Sequence, residues 1–110
     1  MSVSLKAVQD AVYEASHRYT QTYGIQRNGD WVALKLCEEA GEVVQSYIKA
    51  TGRSRHGPID PERGRQAIAD ELADLIGMVV ILATEAGLDA DRDLIPAIEK
   101  KWHTSLRPTE

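Results

Sequence analysis

Two clusters of acidic residues have the types and spacing that bind a divalent cation. Glu38, Glu39 and Glu42 lie within the apolar stretch 31–48, and Glu71 and Asp74 lie within a second one at 70–83. Residues three or four apart share one face of a helix, so each cluster turns its carboxylates to one side. If the two helices pack antiparallel, four or five carboxylates converge, and their mutual repulsion favours a bound cation. A cluster made of carboxylates favours Mg²⁺, or Mn²⁺, over Zn²⁺.

A solvated acidic surface is the alternative interpretation. The chain has 17 acidic residues, so a single Glu-x-x-Glu pattern is weak evidence for a site. The second cluster favours a site more strongly, because Asp74 directly precedes the apolar run 75–83 and Met78 continues the helical face of Glu71 and Asp74. Burying an unpaired carboxylate is costly, so these acids need a partner. Lys35 is the nearest side chain that could serve in place of a metal.

Apolar residues at spacings of three and four predict helices on both sides of a turn at 26–30. The first helix has Ser4 as its N-cap and ends near Tyr23 and Gly24. The second has Asp30 as its N-cap and carries two apolar rows. One row contains Leu34, Cys37, Gly41, Val44 and Ile48, and the other contains Val32, Leu36, Ala40, Val43 and Tyr47. This pattern predicts that Cys37 is a small buried residue and not a nucleophile.

A loop at 51–61 separates the second helix from the third. Asp60 and Pro61 form a helix start, and Gly87 stops that helix after about Ala86. The run 75–83 is apolar all round, which predicts burial on every side.

A fourth helix is expected between about Asp89 and Thr104. Asp93 is its predicted N-cap, since this places Pro96 in the first turn. The tail 106–110 is expected to fray.

These elements predict an all-α fold in a single domain covering residues 1–110. We expect a four-helix protomer with long antiparallel helices. A chain of 110 residues can hardly surround its own third helix, so we also expect a homodimer or homotetramer that forms an oligomeric helix bundle.

Composition narrows the possible partners and location. The formal net charge is −4, which argues against a nucleic-acid partner such as duplex DNA. The single cysteine cannot form an internal disulfide. Neither a signal peptide nor an apolar run long enough for a membrane span is recognisable, so we expect a cytoplasmic protein without a membrane partner.

The motifs EEAGE at 38–42 and ELAD at 71–74 resemble those of the MazG-like nucleotide pyrophosphohydrolases, within the all-α NTP pyrophosphatase superfamily. The resemblance extends from about Trp31 to Trp102. It implies hydrolysis of a nucleoside triphosphate, NTP or dNTP, between the α and β phosphates, as in nucleotide-pool house-cleaning. It also implies that Glu39, Glu42, Glu71 and Asp74 hold Mg²⁺, and that Glu38 orients or deprotonates the attacking water.

Substrate contacts are expected from five further residues. The resemblance suggests phosphate contacts for Lys35 and for a lysine near the C-terminal helix end, which is Lys101 if the register excludes Lys100. Arg53 and Arg55 lie in a glycine-containing loop that could bind phosphate. Trp31 shares a helical face with Lys35 and could stack on a base. A solvated surface position is the alternative for Lys35, Arg53 and Arg55, and packing in an oligomer interface is the alternative for Trp31.

Two other functions remain open at this point. Phosphoribosyl-ATP pyrophosphohydrolases carry similar acidic motifs, so their substrate is one alternative. The other is a non-enzymatic helical module for oligomerisation or binding, whose acids form ordinary salt bridges.

Overall fold

The computed structural model describes residues 2–106, and within this range the fold is all-α, as predicted. The helices are α1 (Leu5–Thr22), α2 (Gly29–Ala50), α3 (Pro61–Glu85) and α4 (Ile95–Trp102). A π-helical turn, Ala90–Leu94, leads directly into α4. Most of the tail expected to fray, 107–110, lies outside the described residues. None of the helices within 2–106 combines the length and the apolar composition that a membrane crossing requires.

Several predicted helix ends are confirmed by their capping contacts. The Ser4 side chain accepts a hydrogen bond from the Ala7 N–H at 3.0 Å at the start of α1. The Asp60 carboxylate accepts one from the Arg63 N–H at 3.1 Å, with Pro61 as the first residue of α3. Gly87 follows α3 with a φ of +76°, a conformation that glycine adopts without strain.

The predicted start of α2 is wrong by two residues. Asn28, not Asp30, is the N-cap, and its Oδ1 accepts a hydrogen bond from the Trp31 N–H at 2.9 Å. Asparagine and aspartate cap helices about equally well, so two candidates two positions apart cannot be ranked by type. Asp30 lies in the first turn, where its negative charge interacts favourably with the helix dipole.

The predicted N-cap of the fourth helix is also wrong. Asp89 caps the π-helical turn by accepting a hydrogen bond from the Arg92 N–H at 2.8 Å. Asp93 lies inside this turn, and its carboxylate accepts a hydrogen bond from the Asp89 N–H at 2.7 Å. The Asp89 carboxylate thus accepts from the Arg92 N–H while the Asp93 carboxylate accepts from the Asp89 N–H, a pattern similar to a capping box. Pro96 still lies in the first turn of α4.

The described residues group into two compact units. The end unit contains the described residues of 1–27 and 80–110. The middle unit contains residues 28–79. In the end unit the buried Gln9 side chain donates to Thr84 Oγ1 and to the Leu88 carbonyl, and accepts from the Ala90 N–H at 2.8 Å. These three bonds tie α1 to the last turn of α3 and to the segment that follows it.

In the middle unit, α2 and α3 are antiparallel, as predicted. Gly64, near the start of α3, packs so closely on Ala50, at the end of α2, that a Cβ at Gly64 would lie 3.0 Å from the Ala50 Cβ. Further along α3, Glu71 lies beside Glu42, which precedes Ala50 by two turns. Later residues of α3 therefore contact earlier residues of α2, which is the pattern of an antiparallel pair.

Two predictions of burial are wrong, one for an apolar row of α2 and one for the apolar run of α3. Leu34 is 72% exposed and Val44 is 56% exposed, and Cys37 in the same row is exposed and not buried. On α3, Ile76 and Val79 are exposed, so the run 75–83 is not buried on every side. A chain of this length has too few helices to cover every apolar face.

Candidate metal centre

Three carboxylates converge in the middle unit. Glu39 and Glu42, one helical turn apart on α2, and Glu71 on α3 each offer one oxygen, and these three oxygens lie within 4.8 Å of one another. The i, i+3 spacing turns the first two toward the same side of α2, and the antiparallel contact brings Glu71 opposite them. Three carboxylate oxygens at this separation can bind one hard divalent cation after small side-chain adjustments.

Two of these carboxylates keep a buried oxygen without a hydrogen-bond partner. They are Glu39 Oε2 and Glu71 Oε2, and both side chains are half-buried. A buried polar atom that lacks a partner costs free energy, so most such atoms in folded proteins are satisfied. These two oxygens therefore have unused acceptor capacity for a positive ligand at the point where the three carboxylates meet.

The electrostatics of the cluster show the same shortage of positive charge. Burial raises the pKa of Glu39, the charges of Glu42 and Asp74 raise it further, and Lys35 opposes them. Burial also raises the pKa of Glu71, assisted by a hydrogen bond shared with Glu42 and by the neighbouring carboxylates. A divalent cation would reverse these effects, because it favours the charged form of every carboxylate around it.

Asp74 lies at the rim of the cluster. Its charge raises the pKa of both Glu39 and Glu71, so it is close to them, but its side chain is exposed and is not one of the three converging groups. Its predicted role as a metal ligand stays a prediction.

Glu38 is not one of the three converging groups, and its carboxylate pairs with Lys35. Its Oε1 lies 3.2 Å from the Lys35 ammonium, and its side chain is exposed. The same ammonium lies 6.0 Å from the centre of the Trp31 ring. The predicted roles of Glu38 with water, and of Lys35 and Trp31 with substrate, stay predictions.

The remaining predicted substrate residues lie on the loop after α2 and near the end of α4. In the loop after α2, Arg53 donates a hydrogen bond from Nε to Thr51 Oγ1 at 2.9 Å, and its guanidinium lies 5.5 Å from the centre of the Tyr47 ring. Arg55 is exposed on the same loop, and Lys101 is exposed near the end of α4, in the end unit. Their phosphate contacts stay predictions.

A cleft in the end unit, of about 560 Å³, lacks comparable chemistry. Lys6, which lines it, pairs with Asp10 at 3.1 Å and with Asp89 at 2.9 Å. The buried Gln9 amide in its wall is fully hydrogen-bonded. The orphaned oxygens therefore single out the middle unit as the better candidate.

Sequence spacing named all five acids but did not rank them. The ranking depends on how α2 and α3 pack, and Gly64 is the residue that could have indicated it. A buried glycine within a long helix is a sign of close helix approach, and with Gly64 against Ala50 the antiparallel register brings Glu71 opposite Glu42.

Comparison of the chain with protein-family models, with curated proteins and with solved structures finds no match in any of the three.

Proposed function

We propose that this protein is a Mg²⁺-dependent nucleoside triphosphate pyrophosphohydrolase that cleaves NTPs or dNTPs between the α and β phosphates. The observation that carries the proposal is the convergence of Glu39, Glu42 and Glu71 within 4.8 Å, with two buried oxygens unsatisfied. The motifs EEAGE and ELAD, which resemble those of MazG-like enzymes, supply the substrate class.

In this proposal each acidic residue has a separate task. Glu39, Glu42 and Glu71 would hold the ion, and Asp74 at their rim is the fourth predicted ligand. A bound Mg²⁺, or Mn²⁺ in its place, neutralises phosphate charge and makes water more acidic. Glu38, exposed beside the three, accepts the proton of the attacking water. Phosphoryl chemistry of this kind depends mainly on positioning and charge stabilisation, so no other reactive group is required.

The test is hydrolysis of a panel of NTPs and dNTPs by the purified protein with Mg²⁺. We expect nucleoside monophosphate and pyrophosphate, and Glu42→Gln should lower the rate at least about a hundredfold because a metal ligand is lost. Glu62→Gln is the matched control, since Glu62 is an exposed acid on α3 outside the cluster. Release of single phosphate would contradict cleavage between the α and β phosphates. A Glu42→Gln protein that keeps the wild-type rate would contradict the metal site.

We further propose that the protein is a homodimer or homotetramer. The support is the uncovered apolar row on α2, together with exposed Leu72, Ile76 and Val79 on α3. Monomeric proteins rarely leave contiguous apolar surface of this kind in water, and a second copy offers the same surface in return.

A further inference from the structure

One row of side chains on α2 leads from an aromatic ring to the acidic cluster. Trp31, Lys35, Glu38 and Glu42 are separated by four, three and four residues. At 3.6 residues per turn these positions fall within about 60° of the helix circumference. An aromatic ring, a cation and two carboxylates therefore follow one another along a single face.

The first residue of this row is held firmly. The Trp31 N–H donates to the capping Asn28 side chain at 2.9 Å, which fixes the backbone at the start of α2. The Trp31 ring is half-buried, so part of its surface remains open to a ligand. The Lys35 ammonium lies on the side of the ring that leads to the acids, 6.0 Å from the ring centre and 3.2 Å from Glu38.

The length of the row matches the dimensions of a nucleotide. At a rise of about 1.5 Å per residue, Trp31 lies about 10 Å along the helix axis from Glu38 and about 16 Å from Glu42. An extended nucleotide places its base and its β-phosphate at a comparable separation, with the α-phosphate between them. On this row, the group between the ring and the acids is the Lys35 ammonium.

We propose that Trp31 is the platform on which the nucleobase stacks, and that the substrate lies along α2 with its base toward Asn28 and its polyphosphate at Glu39, Glu42 and Glu71. This inference rests on the proposed function and adds the direction of the substrate and the residue that binds its base. Lys35 then meets the α-phosphate. Stacking on a tryptophan accepts any base, so Trp31 selects nucleotides over inorganic polyphosphate but does not choose among bases.

The first test separates binding from chemistry in the kinetics of nucleotide hydrolysis. Trp31→Ala should raise KM for an NTP by about tenfold or more while kcat changes little, because stacking on the base is the same before and during reaction. Trp31→Phe should restore most of the affinity. An unchanged KM, or a Phe variant as impaired as the Ala variant, would overturn the assignment.

The second test observes the ring directly. The chain has two tryptophans, and Trp102 is 77% exposed in the end unit, so Trp102→Phe leaves Trp31 as the only tryptophan emitter. With Mg²⁺ and the α,β-methylene analogues of ATP and CTP, which block the scissile bond, we expect both analogues to quench the fluorescence. Inorganic tripolyphosphate should not.

The outcomes of this experiment are distinct. Equal quenching by tripolyphosphate would mean that Trp31 senses phosphate or metal, and no quenching by either nucleotide would remove the platform; both results overturn the inference. A wild-type protein that hydrolyses no NTP would instead reject the proposed function, whatever the fluorescence shows.

Discussion

Glu39 and Glu71 are the residues through which the candidate site lowers the stability of the folded chain in the absence of a cation. Each is half-buried, each keeps an unsatisfied oxygen, and burial raises the pKa of each above its ordinary value. A group whose pKa is higher in the folded chain than in the unfolded chain binds its proton more tightly when folded. Its contribution to stability is therefore fully present below the unfolded pKa and is lost as pH rises through the folded pKa.

The pH dependence of thermal stability follows from this sign. Without metal, the melting temperature should rise when the pH falls from about 7 to about 5, as far as these glutamates determine it. Asp89 and Asp93 do not oppose the effect in this range, because hydrogen bonds lower the pKa of each and their contribution is lost only in stronger acid. Mg²⁺ should raise the melting temperature more at pH 7 than at pH 5, since protons compete with the ion.

The control for this prediction is the double variant Glu39→Gln with Glu71→Gln. It lacks these two carboxylates but keeps every other ionisable side chain of the chain. Its melting temperature should depend less on pH and should not respond to Mg²⁺. An identical pH profile in the wild type and the double variant would show that these carboxylates do not titrate as described.

At the residue scale the sequence predicted which residues are candidate ligands better than it predicted which side chains are buried. The i, i+3 spacing of Glu39 and Glu42 was sufficient to name them as candidate ligands, because that spacing fixes a shared helical face. It was not sufficient for Cys37, whose apolar neighbours suggested burial although the side chain is exposed. Exposure depends on what covers a helical face, and that is a property of the packed helices.

At the scale of single elements, α2 illustrates how far helix boundaries can be read from residue type. Asn28 and Asp30 are both good capping residues, and only the observed bond from Trp31 N–H to Asn28 Oδ1 distinguishes them. The π-helical turn was missed for a related reason. The turn is capped by two side-chain contacts, from the Arg92 N–H to Asp89 and from the Asp89 N–H to Asp93, and no periodicity in the sequence indicates them.

The cap of α2 can be tested by urea unfolding. Asn28→Ala should destabilise the protein by about 0.5–2 kcal/mol, because the Trp31 N–H loses its acceptor. Asp30→Ala should cost less, about 0.3–1 kcal/mol, since it removes only a favourable charge from the first turn. Asn28→Asp preserves the acceptor and should be close to neutral. A larger loss for Asp30→Ala than for Asn28→Ala would move the cap back to Asp30.

For the molecule as a whole, the exposed apolar row of α2 is the feature that the fold of one chain leaves unexplained. Leu34, Cys37, Gly41, Val44 and Ile48 cover about 80° of the helix, on the side turned away from α3. The two rows of α2 were equally apolar in sequence, so periodicity could not determine which one the chain covers. Self-association would bury the row that remains, with Gly41 at its middle allowing two helices to approach closely.

Val44→Glu tests this arrangement, because Val44 is 56% exposed and a charge there should not disturb the fold of one chain. Analytical ultracentrifugation of the wild type should give a dimer or a tetramer, and the variant should shift toward the monomer with unchanged helicity by circular dichroism. Gln45→Glu adds the same charge one position away from the row and should keep the wild-type assembly. A wild-type protein that sediments as a monomer, or a Val44→Glu variant that assembles normally, would show that this row is not the interface.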